Sequence, residues 1–263
     1  MRLAGRLTDR DREIAEDCFE HRVLTTEQLR RLHFTTQRIA TRRLGKLHAL
    51  RVLERFRPAF QLGDGSSPYH WVLGPAGAYV VAAGRGLERD QLAWTRQPPE
   101  AVAKSATLEH RHNTNEFATL LIEAVRAAGG TVPTWHGERG ARDLLGSIVI
   151  PDSYLLIEQP GTPPLHLLLE IDRGTEDHKR LLAKARRYAK AIPRSTLPQE
   201  NVLVLVAVPT PRRARTAAAT LAHGPWPIAV EPWSPGEEPP LTIVTRAAGN
   251  HHRASDASPA LSW

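Results

Sequence analysis

The sequence predicts a mixed α/β protein with two domains, the second built around a central mixed sheet. Three observations support this. The chain has 263 residues, more than one small domain needs. Its first fifty residues contain three short amphipathic helical patterns, each beginning at a threonine. Further along, three apolar segments typical of strands are separated by loops and one charged helical segment.

The first predicted domain covers residues 1–84. Three helices are predicted at 8–21, 25–33 and 36–47, and two strands follow at 50–56 and 70–73. A loop rich in glycine, serine and proline, residues 63–68, joins the two strands, and a short helix from 74 to 83 ends the domain. A helix, a helix-turn-helix and a two-stranded wing in this order predict a winged helix-turn-helix.

The remaining chain is predicted as a linker, an α/β domain and a tail. The linker, 85–105, is polar and contains Pro98-Pro99, and the second domain covers 106–246. We expect a helix at 105–128, strands at 147–150, 165–172 and 201–208, and a charged helix at 175–191. Residues 247–263 are polar and aperiodic, which predicts disorder.

Composition excludes several classes of protein. Cys18 is the only cysteine and is predicted to be a core residue, so internal disulfides and multi-thiolate zinc sites are excluded. No run of 18 apolar residues occurs, and the N-terminus lacks the apolar region of a signal peptide. We therefore expect a cytoplasmic protein with no membrane partner.

Positive charge is concentrated in the first domain. Ten basic residues, nine of them arginine, lie between 22 and 57 against two glutamates, a net of +8 beside +7 for the whole chain. The third helix and the wing are therefore predicted to bind double-stranded DNA, through Thr36, Gln37, Arg38, Thr41, Arg42, Lys46, Arg51 and Arg55. Winged helices often bind paired half-sites as dimers, so we expect a homodimer. The alternative to DNA binding is a helical protein-interaction module.

Three acidic residues in the second domain predict a metal site. Glu170 and Asp172 share one face at the end of an apolar strand, and a hairpin pairing would bring Asp152 beside them. Converging carboxylates hold hydrated Mg²⁺ or Mn²⁺ against a phosphate. Lys184 and Tyr188 share a helix face and would orient water or phosphate. The alternative is a structural cluster paired with Arg173, Arg186 or Arg187.

The order of these motifs, P-D at 151–152, E-x-D at 170–172 and K-x-x-x-Y at 184–188, resembles the PD-(D/E)XK nuclease superfamily. The lysine that usually follows the glutamate by two positions is Asp172 here. Lys184 matches the members whose lysine lies on the following helix. The resemblance implies a PD-(D/E)XK-like α/β domain whose catalytic residues are Asp152, Glu170, Asp172, Lys184 and Tyr188, the three acids binding metal.

A longer series of motifs spans residues 7 to 230. It comprises L-T-x-R-D at 7–11, Y-H-W-V-L-G-P-A-G-A at 69–78, H-x-H-N at 110–113, and the motifs of the second domain. This series resembles the replication-relaxation proteins of actinobacterial plasmids and integrative elements. The resemblance implies a role in plasmid replication or conjugative mobilisation at an origin sequence.

Two functions are compatible with these features. One is a metal-dependent endodeoxyribonuclease that nicks origin DNA, and the other is a non-catalytic initiator or regulator with a degenerate nuclease fold. Minor alternatives are a His110–His112 metal motif like that of relaxases, an additional acid from Glu116, and a tyrosine nucleophile, Tyr154 or Tyr188.

Overall fold

The computed structural model describes residues 4–58, 67–174 and 177–240, and it confirms the mixed α/β class. Two compact units are present. The first contains Met1–Glu123 and His136–Gly140, and the second contains Ala124–Trp135 and Ala141–Trp263. The predicted loop residues 63–66 and the predicted tail 247–263 lie outside the described residues.

The first unit begins with three helices, each preceded by a capping threonine as predicted. Thr8, Thr25 and Thr36 accept a hydrogen bond from the backbone N–H three residues ahead. The elements are α1 (Asp9–Glu20), β1 (Leu24–Thr25), α2 (Thr26–His33), α3 (Gln37–Ala49), β2 (Leu53–Phe56), β3 (His70–Leu73), α4 (Pro75–Gly84), α5 (Pro99–Ala103) and α6 (Leu108–Ala127).

The strands of the first unit form a small antiparallel sheet in the order β1-β3-β2. The predicted pairing of the second and third strands is therefore present, with Leu53 opposite Leu73. Helix α4 approaches the turn before β2 so closely that a Cβ at Gly77 would lie 2.2 Å from the carbonyl oxygen of Val52. Only glycine fits at that contact.

The first unit extends beyond the predicted boundary at residue 84, because helix α6 is bonded to the helices before it. Asn115 Nδ2 donates to the carbonyl oxygen of Val23 at 2.7 Å, and Gln28 Nε2 donates to Glu116 at 2.9 Å. The predicted linker contains α5, and its Val102 is buried.

A five-stranded mixed sheet is the centre of the second unit. Its order is β4-β5-β6-β7-β8, with β5 antiparallel to β6 and the last three strands parallel. The elements are β4 (Thr131–Gly137), β5 (Ser153–Glu158), β6 (Leu165–Ile171), α8 (His178–Ala191), β7 (Val202–Val208), α9 (Pro211–Leu221) and β8 (Ile228–Pro232). A short helix, α7 (Glu138–Ala141), follows β4, and its residues Glu138–Gly140 belong to the first unit. Leu168, Tyr188 and Val204 join one buried cluster between sheet and helix.

The strand predicted at 147–150 is wrong. Val149 is buried there without strand pairing, and the strand begins after Asp152 instead. An apolar run indicates burial but does not by itself distinguish a strand from a packed loop. Strands β4 and β8 and helix α9 were not predicted. None of the helices in the described ranges is long and apolar enough to cross a membrane.

Candidate functional site

Glu170 is the centre of a polar cluster in the second unit. It is 3% exposed near the end of β6, on the same face as Leu168. Lys184 Nζ donates to its Oε2 at 3.0 Å, and Tyr188 Oη donates to its Oε1 at 2.6 Å. Both donors come from one face of α8, because residues four apart on a helix are neighbours.

Asp152 approaches the same carboxylate from the neighbouring strand. In the antiparallel pairing of β5 with β6, Ser153 lies opposite Leu169. Continuing that register by one residue sets Asp152 opposite Glu170. Asp152 Oδ2 accepts a hydrogen bond from the backbone N–H of Ile171 at 2.8 Å, which fixes the side chain at this end of the sheet.

The electrostatics of the cluster disfavour a second negative charge. Burial, and then the charge of Asp152, raise the pKa of Glu170 to about 7. Lys184 and Tyr188 oppose this shift only in part. Burial and the neighbouring Glu170 raise the pKa of Tyr188 well above 10. Tyr188 is therefore a neutral hydrogen-bond donor, and a phenolate nucleophile is disfavoured at this position.

The donor set suits a divalent cation. Two carboxylates that repel each other offer hard oxygen ligands, and an oxygen that accepts one hydrogen bond keeps a second lone pair for a cation. A cation between Asp152 and Glu170 would relieve the repulsion that raises the pKa of Glu170. The residues present therefore fit Mg²⁺ or Mn²⁺.

Asp172 has a different set of contacts. Its Oδ2 accepts from Arg213 Nε at 3.0 Å and Nη2 at 2.6 Å, and its Oδ1 accepts from the backbone N–H of Gly174 at 2.8 Å. The side chain is only 1% exposed. Arg213 lies on α9 and is not among the predicted arginine partners Arg173, Arg186 and Arg187. No motif in the sequence singles out Arg213, although Thr210-Pro211 before it is a typical helix start.

The third helix of the first unit presents polar and basic side chains to solvent. Its exposed residues include the predicted DNA-binding side chains Thr36, Gln37, Arg38, Thr41, Arg42 and Lys46. Ile39, an apolar residue of the same helix, is 42% exposed and lies among them. Arg51 is exposed at the end of the helix, and Arg55 on β2 stacks over the ring of Tyr69 at 4.1 Å.

The fold neutralises part of the basic segment. Arg43 pairs with buried Asp11, Arg31 pairs with Glu116 at 2.7 Å, and Arg30 pairs with Glu123 at 2.8 Å. These acids lie outside residues 22–57, so the sequence count of +8 overstates the free positive charge. What remains exposed is concentrated on α3 and the residues that follow it.

The minor candidates have other contacts. Glu116 is held by Gln28 and Arg31 within the first unit. His112 is buried and packs against the ring of His70 with centroids 5.5 Å apart, and burial lowers its pKa. Tyr154 is buried, with its hydroxyl 2.9 Å from His166 Nδ1. Cys18 is 1% exposed, as expected of a core residue.

Comparison with known proteins gives one match. A family model described as Replication-relaxation matches residues 17–205, a segment that includes α3, Asp152, Glu170 and α8. No curated protein and no solved structure matches the chain. Because the matched segment is more than half of the 263 residues, the chain belongs to the replication-relaxation family, whose description indicates a role in plasmid replication or relaxation.

Proposed function

We propose that this chain is a metal-dependent endodeoxyribonuclease that binds origin DNA through its first unit and nicks it with its second. The observation on which the proposal depends is the cluster of Asp152, Glu170, Lys184 and Tyr188. It combines a buried carboxylate, Glu170, whose ionisation is disfavoured by burial and by the neighbouring Asp152, with a cation and a phenol that both donate to it. Perturbed carboxylates of this kind are concentrated at functional sites.

The DNA-binding part of the proposal assigns a winged helix-turn-helix to the first unit. Helix α3 itself contains no acidic residue, and it follows α2 after a short connection, as a recognition helix does. Arginine on such a helix pairs with phosphate oxygens and guanine edges. Arg55 and Arg57, which both stack on Tyr69, extend the basic surface along β2.

In the second unit, Asp152 and Glu170 would hold Mg²⁺ or Mn²⁺. When bound, that cation supplies Lewis-acid polarisation of the scissile phosphate and a lower pKa for attacking water. Lys184 contributes a positive charge near the developing charge of the phosphate. Tyr188 holds the carboxylate of Glu170 in place, and Ile171 holds that of Asp152. The reaction joins water to phosphorus, breaks one P–O bond and leaves one phosphate end and one hydroxyl end.

A nicking assay tests the enzyme. Supercoiled plasmid containing the element's own origin, incubated with Mn²⁺, should be converted to open circles by the wild-type chain. Glu170→Ala should reduce conversion by at least about 100-fold, since a metal ligand contributes several kcal/mol to such chemistry. The matched control is Glu158→Ala, an exposed acid at the end of the adjoining strand. If wild type, Glu170→Ala and control leave the plasmid equally supercoiled, the nuclease proposal fails.

DNA binding is tested separately by fluorescence anisotropy with an origin duplex. Arg38→Ala and Arg42→Ala should each weaken binding about 10-fold and lower the slope of log K against log salt by about 1. Arg12→Ala removes an exposed arginine of α1 that already pairs with Asp9, and it should bind as wild type. Equal loss in all three variants would contradict a role specific to α3.

The second candidate is a non-catalytic initiator or regulator with a degenerate nuclease fold. The contacts of Asp172 favour it, because an acid of the E-x-D motif is occupied by Arg213. This candidate predicts strong, salt-dependent DNA binding that needs no metal, with no conversion of supercoiled plasmid. The two assays above therefore separate it from the enzyme.

A further inference from the structure

The first unit contains a cavity of about 280 Å³ that the proposed DNA-binding surface does not use. Its wall combines apolar side chains such as Phe19 with the side chain of Trp94. Three arginines also line it, Arg22, Arg111 and Arg139, and none of its lining residues is acidic. A concave site with an apolar wall and a few charged groups is the usual form of a small-ligand site.

The positive charge of Arg22 repels those of Arg111 and Arg139. Burial, and then the charge of Arg22, lower the pKa of both Arg111 and Arg139. Acidic residues oppose these shifts in part, Glu138 at Arg111 and Glu20 at Arg139. Glu20 already accepts hydrogen bonds from the backbone N–H groups of Gly137 and Gly140. An anion inside the cavity would turn this mutual repulsion into attraction.

The side chain of Arg139 also has one N–H group that is not hydrogen-bonded among the described residues. Its Nη1 donates to the carbonyl oxygen of Ala93 at 2.6 Å, while its Nε is buried and has no acceptor among the described residues. A buried donor without a partner calls for an explanation, and a bound anion provides one. Arg22 adds a second unusual feature, since its φ of 66° lies in the left-handed region. Such backbone conformations are frequent at ligand sites.

We propose that Arg22, Arg111 and Arg139 bind a phosphate monoester in this cavity. Guanidinium groups attract a dianionic phosphate by charge and can donate several N–H hydrogen bonds to its oxygens. The volume accommodates the phosphate and part of an attached group, with Trp94 beside it. A free nucleoside monophosphate and the 5′-phosphate of a DNA end share this chemistry. The residues that line the cavity include none of the carboxylate cluster, and the proposal does not depend on nuclease activity.

The test is thermal unfolding of the full chain with a phosphate ligand. The probe is thymidine 5′-monophosphate in chloride buffer of constant ionic strength, with thymidine as the uncharged comparison. We expect the unfolding midpoint of the wild type to rise with the concentration of the monophosphate and not with thymidine. Arg22→Gln and Arg111→Gln should lose this rise, and Arg12→Gln should retain it. Without ligand, Arg22→Gln should unfold at or above the wild-type midpoint, because it removes a repelling charge.

Two results would overturn the proposal. One is a wild-type midpoint that responds to the monophosphate no more than to thymidine. The other is a rise that both cavity variants retain, which would place the phosphate on another basic surface. A comparison of duplexes with a 5′-phosphate or a 5′-hydroxyl end then identifies the source. Tighter binding of the phosphorylated duplex, lost in Arg22→Gln, assigns the site to DNA ends, and equal binding assigns it to free nucleotides.

Discussion

Asp172→Asn should lower the free energy of unfolding of the second unit by about 3 kcal/mol, since removal of one partner strands the other charge of a buried pair. Both carboxylate oxygens of Asp172 accept from N–H donors, Arg213 on one side and Gly174 on the other. Asparagine has one oxygen, so in either orientation its NH₂ group faces a donor. Urea denaturation followed by circular dichroism measures the change as a lower midpoint at unchanged slope.

The matched control for this variant is Glu16→Gln. Glu16 also pairs with an arginine, Arg85, but both side chains are 40% exposed. Exposed pairs contribute at most about 1 kcal/mol, so the control should change little. If the two variants lose the same stability, the Asp172–Arg213 pair does not hold α9 to the sheet. If Asp172→Asn keeps its stabilisation by Mg²⁺, Asp172 is not a ligand of the metal.

Glu170 should make the second unit less stable as the pH rises from about 4.5 to 8. Its folded-state pKa of about 7 lies above the ordinary value of 4.5, so the folded chain binds this proton more tightly than the unfolded chain. Below pH 4.5 the group is protonated in both states and costs nothing. As the pH rises through 7 the folded carboxyl ionises, and the accumulated loss is about 3 kcal/mol at 1.36 kcal/mol for each pKa unit.

Glu170→Gln isolates this effect because glutamine does not titrate. The unfolding free energy of the variant, relative to wild type, should increase by about 3 kcal/mol between pH 4.5 and pH 8. Glu158→Gln, which alters an exposed carboxylate, is the control, and a drift of the same size there would contradict the assignment. Millimolar Mg²⁺ should reduce the drift of the wild type if Asp152 and Glu170 bind it, because a cation favours the ionised carboxylate.

Local patterns predicted much of the first unit. A threonine begins each of the first three helices, and the hydrogen bond that makes it a cap involves a residue three positions away. Such signals need no knowledge of distant contacts. The same holds for Lys184 and Tyr188, whose spacing on α8 places them on one face before any partner is known.

The elements that sequence analysis missed have weak patterns for identifiable reasons. Strand β4 contains Pro133, which is tolerated because β4 lies at the edge of the sheet. Strand β8, at the opposite edge, is five residues long. Helix α9 buries mainly alanines, including Ala214 and Ala217, so its apolar stripe has little contrast.

Ion pairs between residues that are far apart in the sequence could not be predicted from it either. Arg31 and Glu116 are separated by 85 residues, and Asp172 and Arg213 by 41. A net charge counted along the chain treats every charged side chain as unpaired. Which of these side chains form ion pairs depends on the fold. The sequence therefore predicts where the exposed positive charge lies but overestimates how large it is.

The ion pair of Asp172 has a consequence for engineering. An alignment with PD-(D/E)XK nucleases would suggest the substitution Asp172→Lys, because the usual lysine of the motif is missing at this position. That change would set an ammonium against the guanidinium of Arg213 in a site where the native side chain is 1% exposed. Asp172 instead bonds Arg213 of α9, and the lysine of the cluster, Lys184, lies on α8. The single substitution Asp172→Lys would therefore destabilise the second unit. A design with lysine at position 172 would have to replace Arg213 at the same time.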